Sequence, residues 1–246
     1  MRPSIEFVTP DWPVPSRVKA LTTTREGGFS TGDFACGNLA RHVEDDIYAV
    51  LANRARLLEQ LNLPSLPCWL EQVHGNRVVA ASLSQRGQRA DASVAFHAQQ
   101  VAVVMTADCL PVFFCDRQGS RVGLAHAGWR GLLAGVLDNT ARALAVPSSE
   151  ILVYLGPAIG TSAFEVGDEV RQAFVAQHPE NALYFHAKGD KWLADLKGLA
   201  RARLLRMGVK SIYSSKDCTF EQSSKYYSFR RDGQTGRMAS LIWLQR

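Results

Sequence analysis

The chain has 246 residues, with 28 Lys and Arg against 23 Asp and Glu, a formal net charge of +5, and 46% hydrophobic residues. That balance excludes a disordered or fibrous chain, and basic residues scattered without a stripe or binding motif argue against nucleic acid while favouring small anions. No apolar run reaches the roughly 20 residues of a membrane span. The start MRPSIEFVTPDWPVP lacks a signal peptide's charged head and apolar core, and five cysteines without repeated spacing fit a reducing compartment, so the expected location is cytoplasmic.

Strands are expected at Ile5 to Val8 and Val18 to Thr24, leading into Arg25-Glu26-Gly27-Gly28-Phe29-Ser30, whose paired glycines permit a tight turn. Apolar residues at Ile47, Val50, Leu51, Leu57, Leu58 and Leu61 predict an amphipathic helix over Glu44 to Leu61, with acid at its positive end and Pro64 beyond it. Cys68 to Gly75 reads as a strand ending in a His74-Gly75 corner. Arg89-Ala90-Asp91-Ala92 precedes Val101 to Met105, a continuous apolar run that predicts a central strand.

The stretch Met105 to Gly131 organises the rest. Leu110 to Cys115 and Val122 to Ala125 flank Asp116-Arg117-Gln118-Gly119 as a β-hairpin. With the turn centred between Arg117 and Gln118, Cys109 and His126 face each other, close enough to share a metal ion or to act as nucleophile and base. His74, at its His-Gly corner, reads either as a satisfied strand end or, if that pair needs a third partner, as a ligand. Cys115, inside an apolar strand, reads as inert core. One helix is expected from Trp129 through Leu144, its N-terminus just beyond His126 and able to attract an anion.

Ile151 to Leu155 reads as a strand before the small-residue loop Gly156-Pro157-Ala158-Ile159-Gly160, and helices are expected over Gly167 to Gln177 and Lys191 to Met207. Val209 to Tyr213 and Tyr226 to Arg231 read as strands. The latter is expected to form a hairpin with Met238 to Leu244, its adjacent Arg230 and Arg231 pointing to opposite faces. No linker or repeat interrupts the chain, which predicts one domain, 1–246.

Glu71-Gln72-Val73-His74-Gly75, Thr106-Ala107-Asp108-Cys109-Leu110-Pro111, His126-Ala127-Gly128-Trp129-Arg130-Gly131, Leu155-Gly156-Pro157-Ala158-Ile159-Gly160 and Tyr227-Ser228-Phe229-Arg230-Arg231-Asp232 together resemble the YfiH family. That family is variously described as laccase-like polyphenol oxidase, purine nucleoside phosphorylase and peptidoglycan editing factor. The resemblance spans essentially the whole chain, including Arg25-Glu26-Gly27-Gly28 and Asn38-Leu39. It implies a single α+β domain, a layered α/β/β/α sandwich of the cysteine hydrolase-like type, with one Zn2+ held by His74, Cys109 and His126. It further implies phosphorolysis of adenosine, inosine and related nucleosides, together with adenosine deamination.

Three such ligands leave a fourth tetrahedral position for water or substrate, which favours catalysis. Arg25, Arg130 and Arg230 are the candidate phosphate holders, Asn38 and Gln72 the candidates for sugar or base. Asp108 either acts as a general acid or base or orients a ligand. The expected partners are a purine nucleoside and phosphate, with the chain a monomer or weak homo-oligomer. Copper is disfavoured, because a multicopper oxidase needs a cluster of further histidines and the chain has six in all. The alternatives are a hydrolase that edits a wrongly built peptidoglycan precursor, a metal-free amidase using Cys109 as nucleophile and His126 as base, and a non-catalytic binding protein.

Overall fold

Strand parity sorts the apolar residues into three buried layers in the computed structural model, which describes residues 4–245. The expected domain 1–246 and the leader reading extend to residues 1–3 and 246, outside the described residues. In the strand Val101–Thr106, Val101 and Val103 pack with Leu57 of the helix Ile47–Leu61, while Ala102 and Val104 face a second sheet. In Leu110–Asp116, Phe113 and Cys115 join Val104 between the sheets. Val112 and Phe114 pack on the other side, against Leu137 of Val136–Ala143 and Leu199 of Leu196–Arg206. Period-two alternation in strands buried on both faces thus builds an α/β/β/α stack, the expected α+β architecture.

The first sheet orders its strands Phe7–Val8, Val18–Thr23, Met238–Leu244 and Val101–Thr106, all antiparallel. The second runs Ser211–Ser214, Ile151–Leu155, Leu110–Asp116, Val122–Ala127, Ala92–Ala95 and Val78–Ala80, with parallel pairs at its two edges. Phe185–Lys188, Lys191–Ala194 and Glu165–Val166 make a small third sheet. Among the described residues no helix is long and apolar enough to cross a membrane.

Four expectations need correction. Val101–Thr106 is the last strand of its sheet rather than a central one; its apolar outer edge is covered by a loop in which the Cys68 N–H donates to the Val101 carbonyl. Lys191–Ala194 is a strand, turned back at Gly189 with φ 60° onto Phe185–Lys188, and only Leu196–Arg206 is helix, capped by Asp195. The expected strand Tyr226 to Arg231 is extended chain followed by the helical turn Phe229–Asp232, and Met238–Leu244 pairs elsewhere. Tertiary contacts override propensity there, since the buried Tyr226 and Tyr227 donate their hydroxyls to Asp217 and to the Phe34 carbonyl. The helix expected from Trp129 breaks at Gly135, φ 93°, into Trp129–Ala134 and Val136–Ala143.

Candidate metal centre

The hairpin register differs from the expected one by two residues. Asp116 accepts hydrogen bonds from the backbone N–H groups of Ser120 (2.7 Å) and Arg121 (2.9 Å), and the strand pairing centres the turn between Gln118 and Gly119. Leu110 therefore pairs with Ala127 and Pro111 with His126, so Cys109 falls opposite Gly128. The missing side chain at that glycine makes the cluster possible. A Cβ at Gly128 would lie 2.9 Å from His74 Cδ2 and 3.0 Å from Cys109 Sγ.

His126 shares its strand face with Val122 and Leu124, which look into the layer between the sheets, so the cluster forms where that layer ends. Cys109 Sγ and His74 Nε2 stand 3.8 Å apart, the two imidazole centroids are 4.7 Å apart, and all three ligand atoms lie within 4.8 Å of one another. Bonds of about 2.0–2.3 Å to a tetrahedral ion separate its ligands by roughly 3.3–3.8 Å, so small side-chain adjustments suit the trio to a metal. Among the described residues no other group of three His, Cys, Asp or Glu side chains has this spacing.

His74 is not on a strand. The segment before it makes only isolated bridges, at Cys68 and Glu71, and His74 itself has φ 58°. What holds it is Asp91, a fully buried carboxylate whose significance the sequence did not disclose. Asp91 accepts from the backbone N–H groups of Val73 (3.2 Å), His74 (2.9 Å) and Gly75 (2.7 Å), and its Oδ1 lies 2.8 Å from His126 Nδ1. One carboxylate thus sets the loop bearing one ligand and the ring orientation of another, leaving His126 Nε2 for the cluster. An acid within the otherwise small and apolar run Ala90 to Ala95 was the available signal, because a buried charge must be paired.

The electrostatics follow from this packing. Burial alone would raise the Cys109 thiol, but the charge of His126 and hydrogen bonds from both histidines outweigh it and bring it down to about 6. Burial would lower His126; the thiolate of Cys109 and the carboxylate of Asp91 raise it instead. Cys68 and Cys115 lack such partners, and burial pushes them up to about 11 and about 12. A chelator-treated sample should therefore alkylate selectively at Cys109, the rate rising from pH 5 and levelling off above about 6. A rate still climbing beyond pH 8 in a peptide-mapped time course would contradict that polarity of the pair.

The remaining expected site residues divide by their partners. Asp108, φ 91°, accepts from Thr219 Oγ1, Ser228 Oγ and the Arg230 N–H, so it ties the Cys109 loop to the C-terminal segment. Gln72 spends its amide on both backbone groups of Met105, and Asn38 bonds Ala40, Asp45 and the Arg237 N–H. Arg25 lies over the Tyr227 ring and donates to the carbonyls of Ala35 and Ser223. Arg130 and Arg230 keep exposed side chains, the first over Trp129 and the second donating to the Glu165 carbonyl. Arg230 and Arg231 share a helical turn, not opposite faces of a strand; Arg231 turns inward to the carbonyls of Thr219, Phe220 and Tyr226. Because Trp129–Ala134 is only six residues long, its dipole adds little at the cluster.

The fold and this cluster define a four-layer α+β protein with a candidate His-Cys-His metal site at the end of its inter-sheet layer. A family described as multi-copper polyphenol oxidoreductase laccase matches residues 19–245. The chain is 53% identical to "Purine nucleoside phosphorylase PA4543" of Pseudomonas aeruginosa, over 97% of this chain and 98% of that one. It is 48% identical to "Purine nucleoside phosphorylase YfiH" of Escherichia coli, over 97% and 99% of the two. The crystal structure of Neisseria meningitidis protein NMB0706 superposes with a TM-score of 0.94 at 49% identity, covering 98% of this chain and 100% of that one. The chain belongs to the YfiH family, as its motifs had implied.

Proposed function

We propose that the protein is a zinc-dependent purine nucleoside phosphorylase that also deaminates adenosine, working in the cytoplasm. The observation that carries this is the His74–Cys109–His126 cluster, set in a chain that matches relatives bearing the phosphorylase name from end to end. Two imidazoles and a thiolate suit zinc, which when bound supplies a Lewis acid at the mouth of the sheets. Asp91 fixes the tautomer of His126 and the position of His74, and Gly128 leaves the space that the three ligands fill. In phosphorolysis the N-glycosidic bond breaks, a phosphate oxygen bonds the anomeric carbon, and the base leaves with a proton. The chain must therefore offer cations to phosphate and a donor to the base. Of the five side chains expected to meet substrate, Arg130 and Arg230 are the exposed ones, while Arg25, Asn38 and Gln72 shape the loops around the site.

A second reading has one specific support. The depressed thiol of Cys109 beside His126 is the polarity of a cysteine nucleophile, and an amide in a wrongly built peptidoglycan precursor is its substrate class. A multicopper oxidase finds no support in the ligand set, which among the described residues comprises the one trio. The deciding experiment incubates zinc-quantified protein with adenosine, with and without phosphate, beside a chelator-treated sample. Adenine and ribose 1-phosphate appearing only with phosphate and only in the zinc-loaded sample is the expected result; inosine without phosphate reports the deaminase. Turnover of neither kind by zinc-loaded protein sinks the reading.

A further inference from the structure

The phosphorolysis reading needs a site for an anion, and the cations expected for it are not the ones that cluster. Beside the metal centre a cleft of about 920 Å³, within the range of small-molecule sites, opens between the helix Ile47–Leu61 and the loop running to His74. Arg41, His42, Arg54 and Arg86 line it. Glu71 is the one carboxylate among its described lining residues, and Glu71 sits 3.5 Å from Arg89, which does not line the cleft. Three arginines against one carboxylate, itself beside Arg89, give the described lining of the cleft an excess of positive charge.

Arg54 is the best-built of these groups. Its guanidinium lies 3.7 Å over the Trp69 ring, its Nε donates to the Leu39 carbonyl at 2.9 Å, and its Nη2 meets Met105 Sδ at 3.7 Å. Stacking and two anchors fix the plane of the fork, and Nη1 takes part in none of these contacts. Burial, then the neighbouring Arg41, lowers this guanidinium to about 10. Burial also lowers His42, which in addition feels the charges of Arg237, Arg54 and His126. Arg54, a half-buried cation repelled by Arg41, is stabilised by an anionic ligand, to which the His42 ring can donate. The three candidate ligands do not line the cleft, but it adjoins the loop that carries one of them: Gln72 and Met105, which line it, are clasped by the two Gln72 amide bonds, and His74 follows two residues on.

We propose that Arg41, His42 and Arg54 hold the phosphate dianion that attacks the nucleoside, an assignment that rests on the phosphorylase reading above. The same chemistry would take the 5′-phosphate of a nucleoside monophosphate, so the test separates the two sources. Inorganic phosphate is titrated into zinc-loaded wild type, Arg41→Ala and Arg54→Lys, followed by 31P line broadening, with the phosphate and nucleoside KM values measured beside it. Arg41 is exposed, so its removal leaves the fold in place, and Arg54→Lys keeps the charge but loses the fork. Phosphate affinity should fall about tenfold or more in both variants, as expected for loss of a charge-assisted hydrogen bond, with phosphate KM rising in step and nucleoside KM held within about twofold. Wild type that does not broaden the phosphate signal, or variants that bind phosphate as well as wild type, overturn the assignment. Binding of adenosine 5′-monophosphate without binding of inorganic phosphate overturns it in favour of the ligand's own phosphate. Phosphate binding lost in the variants, but no nucleoside turnover by wild type, upholds the anion site and defeats the phosphorylase reading instead.

Discussion

Cys109→Ala should abolish nucleoside turnover and bind zinc on the order of a thousandfold more weakly, because one of three ligands, and the only anionic one, is gone. Metal quantification after gel filtration and an initial-rate assay check both effects on one preparation. The site should otherwise keep its shape, since His126 retains its contact with Asp91 and His74 its backbone bonds to the same carboxylate. Near-ultraviolet circular dichroism like that of wild type would confirm it. A variant that loses turnover but keeps stoichiometric zinc at wild-type affinity would point to Cys109 as nucleophile rather than ligand. The amidase reading would then lead.

The second large effect is expected outside the ligand set. Asp91→Ala leaves three backbone N–H groups and the His126 ring N–H without their acceptor. Removing one partner of a buried charged network costs about 3–5 kcal/mol, and loss of a carboxylate that orients a metal-binding histidine weakens metal about 10- to 100-fold. Asp91→Asn is not a conservative rescue. Both carboxylate oxygens accept, so an amide would turn its NH2 toward one of those donors. Burial alone would raise the Asp91 carboxyl, but the bonds from His126, Gly75 and Val73 hold it below its ordinary value. Its contribution to stability is thus full at neutral pH and lost as pH falls through its folded titration range. Urea unfolding across the acid limb should show wild-type stability falling toward that of the variant; curves that stay parallel would remove Asp91 from the account.

The candidate trio was legible because reactive residue types at strand ends stand out against apolar neighbours, and the family motifs supplied His74. The hairpin was also legible, but its register was not, because the Asp116 carboxylate gathers Ser120 and Arg121 into the turn and moves its centre by one residue. Residues from Tyr226 to Asp232 resembled a strand in composition, yet two buried tyrosine hydroxyls, one held by Asp217 and the other by the Phe34 carbonyl far away in sequence, decide their path. The partners of Asp91, whose burial alone was signalled by its apolar neighbours, and the Arg54–Trp69 stack were hidden for a related reason. Each owes its role to a contact across layers, and local periodicity carries no trace of such contacts.

The loop from Cys68 to Gln72 has a duty besides presenting His74. It covers the free edge of Val101–Thr106, a wholly buried and strongly apolar strand, through the Cys68 bridge to Ala102 at one end and the Gln72 clasp on Met105 at the other. An uncovered strand of that composition would be a template for pairing with another molecule. The segment that delivers a candidate metal ligand is thereby also a guard against self-association, and changes that loosen it threaten the solubility of the protein together with its chemistry.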